Sequence, residues 1–298
     1  MVNNPLVSIC CVTYNHSSYI KQALDGFLLQ QTNFNFEIVI GDDFSTDKTQ
    51  EILKQYNSKH PGKFKIIMQE KNIGMISNFI STLRHCKGNY IALCDGDDYW
   101  TDPLKLQKQV DFLEANPTYS ICTTRFFVKR AEGEEAYEPE FVKKIFEDDK
   151  PLFEISIENM FSPYLLKTLT VVFRNMAFDK KILSQPYFKD TFLWAKILTK
   201  GPGVCLNFHG GVYNRHSGGV WSERSAIEKG ISLYSTSLNM VKYFGTGYSN
   251  IFSYYLGSEN VIANLLKDNP FKSFKEFRIY CRIKVNRHLR RVYPRMVL

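Results

Sequence analysis

The densest chemistry in the chain is Asp95-Gly96-Asp97-Asp98. Three carboxylates within four residues repel one another unless a cation or a hydrogen-bond network offsets them. Magnesium and manganese favour carboxylate oxygens and usually complete their shells with substrate phosphates. The stretch therefore reads in one of two ways. It is a divalent-metal site for a phosphorylated ligand, or it is a polar turn leading to the helix that Asp102 caps and Pro103 opens. Two other polar clusters follow short apolar runs, Thr13-Tyr14-Asn15-His16 and Asp42-Asp43-Phe44-Ser45-Thr46-Asp47. Asp190 heads a helical pattern with Leu193, Trp194 and Ile197 on its own face. If those apolar residues point inward, the acid points into a cleft and suits a general base; its plain alternative is an N-cap. Arg215-His216 precedes Gly218-Gly219. Guanidinium suits phosphate and imidazole ligates manganese, so this pair suits a diphosphate or a metal.

Positioning these groups requires loops that converge. Val7–Val12, Phe36–Ile40, Phe64–Met68 and Tyr90–Cys94 read as buried strands, and helical periodicity separates each from the next. Ile20, Ala23, Leu24, Phe27 and Leu28 mark the first helix face, and Ile76, Phe79, Ile80 and Leu83 the third. Four strand-then-helix units in the first hundred residues predict an α/β fold with a doubly wound, mostly parallel sheet. In such sheets the loops at the carboxyl ends of the strands meet along one edge and bind ligands there. That edge would gather Thr13-Tyr14-Asn15, Asp42-Asp43 and Asp95-Gly96-Asp97-Asp98. Further on, Tyr119–Val128 and Leu169–Phe173 read as strands. Residues 131–150, rich in acids, read as a solvated loop or lid. Val204–Phe208 and Gly211–Tyr213 read as two short strands, and the chain beyond Ser222 as helical segments.

Composition narrows the classes. A chain of 298 residues with 44% hydrophobic and 23% charged residues can bury a core, which argues against disorder. The seven cysteines are odd in number and form no CxxC pair, so they suit a reducing compartment, not a disulfide framework or a zinc site. The amino terminus does not read as a signal peptide, and no apolar run reaches the roughly 20 residues that span a bilayer. The net charge of +8 resides in residues 271–298, where nine basic side chains face only Glu276. Interleaved with Phe271, Phe274, Phe277 and Tyr280, that tail suits an anionic membrane surface. Nucleic acid is disfavoured as a partner because it leaves the carboxylate clusters unexplained.

The order of these motifs resembles the family 2 glycosyltransferases of the GT-A fold. The match runs through Thr13-Tyr14-Asn15, Asp42-Asp43-Phe44-Ser45-Thr46-Asp47, Asn72-Ile73-Gly74 with Asn78, Asp95-Gly96-Asp97-Asp98, Asp190 ahead of Leu193-Trp194, and Tyr213-Asn214-Arg215-His216. It covers roughly residues 5–222. The resemblance implies a GT-A nucleotide-diphospho-sugar transferase domain over residues 1–222, followed by a helical carboxyl-terminal extension over 223–298. It implies an inverting, metal-dependent enzyme that moves a sugar from a UDP-sugar to a glycan or lipid-linked acceptor in bacterial cell-surface polysaccharide synthesis. Such an enzyme would be cytoplasmic and peripheral on the inner face of the membrane.

By the same resemblance Tyr14 packs on the base, Thr13 and Asn15 shape its loop, and Asp43 reads the uridine. Asn72 belongs to the donor site, Asp95 contacts the ribose, Asp97 ligates Mn²⁺ or Mg²⁺, and Asp98 orients that shell or caps the following helix. Asp190 is the base, Arg215 a donor contact and His216 a second metal ligand. Three positions depart from the family pattern: Val12 stands where proline is common, Ser77 where arginine is common, and Lys189 where glutamate is common. The other functions compatible with the sequence are a catalytically inactive nucleotide-sugar-binding module and a nucleic-acid binder acting through the tail.

Overall fold

Val7–Thr13 (β1), whose residues are almost all buried, is the hub of a large sheet. A strand flanked on both sides by other strands and covered on both faces carries an unbroken apolar run. The structure is a computed structural model that describes residues 5–161, 165–176, 190–219 and 226–245. After β1 come Ile20–Leu28 (α1), Phe36–Asp42 (β2), Thr49–Lys59 (α2), Phe64–Met68 (β3), Met75–Leu83 (α3) and Tyr90–Leu93 (β4). These four strands lie in the order β3-β2-β1-β4, and every pairing among them is parallel. Thr13 stands opposite Asp42 in the register, which sets the first two loops side by side.

The second half of the sheet is built differently. Tyr99–Trp100 (β5) and Lys105–Ala115 (α4) precede Ile121–Arg130 (β6), which turns back directly into Gly133–Ala136 (β7). Glu140–Ile145 (α5), Leu152–Ile155 (β8), Val172–Arg174 (β9), Asp190–Leu198 (α6), Gly203–Asn214 (β10) and Ala226–Phe244 (α7) follow. The sheet continues β4-β9-β6-β10-β5, with β7 added to β6 and β8 to β10. Here only β10 and β6 run parallel; β9 is antiparallel to β4 and β6, and β5, β7 and β8 are antiparallel to their partners. The ten-stranded sheet is thus mixed, and parallel throughout only in its amino-terminal half. Hairpins and short returns do not need the long crossovers that parallel pairing demands.

Two local expectations are also revised. Residues 131–150 are not an open loop: they supply β7 and α5, with Val142 and Phe146 buried and Tyr137 stacked on Phe126 at 4.8 Å. The two short strands after Gly203 are one strand of twelve residues, β10, whose register against β6 shifts at Leu206/His209 and His209/Val212. Those irregularities surround Gly210-Gly211. A Cβ on Gly211 would lie 2.6 Å from the Tyr99 carbonyl oxygen, so β5 can approach only a glycine there.

The chain divides into two compact units, Met1–Phe178 with Leu193–Arg215, and Asp179–Phe192 with His216–Leu298. The first holds the sheet. α7 is the described part of the expected helical extension, and the basic tail, 271–298, lies outside the described residues. Among the described residues no helix is long and apolar enough to cross a membrane. Cys10, Cys11, Cys86, Cys94, Cys122 and Cys205 are free thiols.

Candidate donor site

In the first unit the carboxyl ends of β1, β2 and β4 carry three loops that bind one another. β1 ends at Thr13, whose carbonyl accepts from the Asp43 amide at 3.0 Å. The Asn15 amide donates to Ser45 Oγ at 2.9 Å, and Asn15 Oδ1 accepts from the Thr46 amide at 2.8 Å. Asn15 adopts φ 55°, a left-handed conformation that asparagine tolerates better than most residues. Asp47 closes the same seam by accepting from the amides of Ser17 and Thr49. Burial works against its charge, but those hydrogen bonds outweigh the burial and hold its pKa at about 2.

The two acids at the end of β2 have separate tasks. Asp42, fully buried, accepts from Ser45 and from Gln50 Nε2, which shapes its own loop. Asp43 is also buried, and its two carboxylate oxygens accept from the amides of Ile73 at 2.7 Å and Gly74 at 2.9 Å. Each oxygen keeps a second lone pair. Asn72 is exposed beside this contact. Asn78, buried on α3, donates to the Gly41 carbonyl at 2.8 Å and ties α3 to β2.

β4 delivers the carboxylates. The Gly96 amide donates to the Val12 carbonyl at 2.9 Å, and a Cβ on Gly96 would lie 2.8 Å from Thr13 Oγ1. Only glycine lets the acidic loop lie this close to the first loop. Asp95, Asp97 and Asp98 each offer an oxygen within 4.8 Å of the others. Asp95 and Asp97 are partly exposed, whereas Asp98 is buried. Burial pushes the Asp98 carboxyl well above the usual range, and the charges of Asp97 and Asp95 push it the same way. The Lys167 ammonium and the Asn214 amide oppose them. The Asn214 amide donates to Asp98 Oδ1 at 2.9 Å, and its side-chain Nδ2 donates to the Asp97 carbonyl at 2.6 Å. Asp98 is therefore not the cap of the following helix. Asp102 accepts from the Leu104 amide at 2.8 Å, and α4 begins at Lys105.

Hard oxygen donors held this close, with one raised in pKa by its burial and then by the charges of the others, fit a divalent cation of the Mg²⁺ or Mn²⁺ type.

Three residues here take roles that the sequence alone did not assign, although Asn214 and His16 stand inside motifs it displays. Asn214 holds the acidic loop through two bonds. His16 brings Nε2 to 3.8 Å from Asp97 Oδ2. Lys167 sits 3.4 Å from the centre of the Tyr213 ring and lends its charge to Asp98. Hydrogen bonds join the loops that carry Thr13, Tyr14, Asn15, Asp43, Asn72, Asp95 and Asp97. Arg215 follows β10, exposed, with its amide donating to the Lys129 carbonyl at 2.8 Å. Asp190 and His216 belong to the second unit. Asp190 opens α6, and its Oδ1 accepts from the Thr191 amide at 2.8 Å. His216 is partly buried, and its carbonyl accepts from Gly219 at 3.3 Å.

Residues 8–185 match the model of the glycosyl transferase family 2. An uncharacterized protein of Mycobacterium tuberculosis is 36% identical over 215 residues, which is 72% of this chain and 60% of that protein. The chain thus spans about 60% of the length of this curated relative. Among solved structures, Staphylococcus aureus TarS 1-349 in complex with UDP-GlcNAc superposes with a TM-score of 0.60 at 17% identity, covering 93% of this chain and 79% of that one. The mannosyltransferase PcManGT from Pyrobaculum calidifontis, in complex with GDP-Man and Mn²⁺, gives 0.59 at 17% identity, covering 98% and 82%. These likenesses identify the fold.

Proposed function

This chain belongs to glycosyl transferase family 2, and we propose that it moves a sugar from a UDP-sugar to a hydroxyl of a glycan or lipid-linked saccharide, with inversion at the anomeric carbon, in cell-surface polysaccharide synthesis. The observation that carries the reading is the trio Asp95, Asp97 and Asp98, gathered within 4.8 Å at the loop edge beside the Thr13 and Asp43 loops. A polar turn alone would not need to crowd three charges there.

In this reading the base rests on Tyr14 and is recognised by the lone pairs that Asp43 retains. Asp95 takes the ribose, and Asn72 and Arg215 line the donor. Asp97 would hold Mn²⁺ or Mg²⁺, Asp98 would orient that shell, and His216 is offered as a further ligand on its imidazole chemistry. A bound ion supplies Lewis-acid neutralisation of charge on the diphosphate. Asp190 is the general base. Its carboxylate takes the acceptor hydroxyl's proton as that oxygen bonds to the anomeric carbon, while the bond from that carbon to the diphosphate oxygen breaks. Uridine is supported by the family resemblance and by the UDP-GlcNAc that TarS binds. The GDP-Man complex of PcManGT makes guanosine the competitor to test, and its Mn²⁺ supports the metal. The cationic tail suits an anionic inner leaflet, where lipid-linked acceptors reside.

Thermal stability against UDP-, GDP-, CMP- and dTDP-sugars, with and without Mn²⁺, tests the reading. A donor at a hundred times its dissociation constant adds about 2.7 kcal/mol. The expected result is stabilisation by the UDP class that requires Mn²⁺ and disappears in Asp97→Ala. No shift with any nucleotide would sink the reading, and a shift with GDP-sugars alone would replace the donor.

A further inference from the structure

Phe44 has a backbone that no packing explains. It sits at φ 63°, a left-handed conformation that is an outlier for a bulky side chain. Its ring is not part of the core, and 45% of the residue stays exposed. Both neighbours are fixed: Asp43 by the amides of Ile73 and Gly74, and Ser45 by Asp42. The same neighbours dock the first loop, Asp43 through the Thr13 carbonyl and Ser45 through the Asn15 amide. Tyr14 therefore lies between Thr13 and Asn15 just as Phe44 lies between Asp43 and Ser45. The two aromatic residues start from facing positions on adjoining loops, and Tyr14 too is 42% exposed.

We propose that Phe44 is a second nucleobase contact, which with Tyr14 forms an aromatic platform for the base of the nucleotide donor. The proposal rests on the nucleotide-sugar reading above. A residue strained in its backbone and unrewarded by the chain's own core is what a ligand-facing position predicts. Stacking on an aromatic face tolerates every base, so Phe44 contributes affinity, while discrimination between bases falls to hydrogen bonds at the base edge.

The test compares wild type with Phe44→Gly and Phe44→Tyr. Glycine adopts positive φ without penalty, so it removes the ring and the strain together. Calorimetry with UDP and with inorganic pyrophosphate, each with Mn²⁺, separates base from diphosphate. The expected result for Phe44→Gly is UDP affinity lowered about tenfold, pyrophosphate affinity unchanged, and an equal or higher melting temperature without ligand. Phe44→Tyr should restore UDP binding. The proposal is overturned if Phe44→Gly binds UDP as wild type does, if both ligands weaken in proportion, or if the ligand-free variant melts lower. Wild type that binds pyrophosphate but not UDP would overturn it together with the uridine reading. A wild-type-like Phe44→Gly overturns this inference alone.

Discussion

Asn214 contributes to the carboxylate loop from a place 116 residues further along the chain. Its amide neutralises part of the Asp98 charge, and its side chain fixes the Asp97 backbone. Asn214→Ala keeps the backbone bond and loses the other. Partners of this kind typically change metal affinity by about 10–100-fold, whereas one lost hydrogen bond costs only about 1 kcal/mol of stability. The expected outcome is weakened Mn²⁺ binding in the presence of UDP, followed by Mn²⁺ spin resonance, in a protein whose melting point drops little. Equal Mn²⁺ affinity in variant and wild type would show the acidic loop to be self-supporting. The acids themselves were legible because three carboxylates in four residues have few purposes. The ties made by Asn214, His16 and Lys167 were not, even though Asn214 and His16 stand inside motifs the sequence displays. A lone polar residue has no signature of its own, and what makes each matter is a neighbour distant in sequence.

At the scale of one element, α4 carries a lysine where a core residue is expected. Lys105 is fully buried, with Nζ donating to Gln109 Oε1 at 2.7 Å and lying 4.2 Å from the centre of the Trp100 ring. Gln109 in turn donates to the carbonyls of Cys122 and Thr170. Burial pushes the Lys105 pKa down to about 7. The unfolded chain keeps this proton until about pH 10.4, so between these values it binds more protons than the fold does. Stability from this group therefore rises with pH above 7, and below 7 the full penalty remains. Above about 8.5 the buried thiols act in the opposite sense, because the fold retains protons that the unfolded chain releases. Urea unfolding at pH 7.0 and 8.5 isolates the lysine. Wild type should gain about 2 kcal/mol more than Lys105→Met over that interval. Parallel pH dependence in the two proteins would mean that Lys105 reaches water. The helix was legible from Leu106, Val110 and Leu113, which are all buried. The inward lysine was not, because lysine is almost never buried and its partners come from other elements.

For the molecule as a whole, the +8 charge belongs to residues 271–298, where nine cations against one anion leave the other residues neutral. Ending the chain after Pro270 should leave nucleotide binding intact and abolish partitioning onto anionic vesicles, and the partitioning of the full chain should weaken as salt rises. Equal partitioning of both forms in a sedimentation assay would remove the tail from any membrane role. The parallel half of the sheet was legible because strand and helix periods alternate four times before residue 100. The other half was not. An apolar strand such as Val172–Arg174 carries no mark of its direction, and the shifts in β10 arise from its fit to β5 and β6. That late strand has a consequence for biosynthesis. Because chains are made from the amino end, the acids of β4 emerge from the ribosome long before Asn214 does, and β10, which pairs with β5, β6 and β8, is among the last parts of the sheet to arrive. The carboxylate loop can take its tied form only when synthesis has passed residue 214, so a nascent or prematurely ended chain holds the acids without the clasp that sets them.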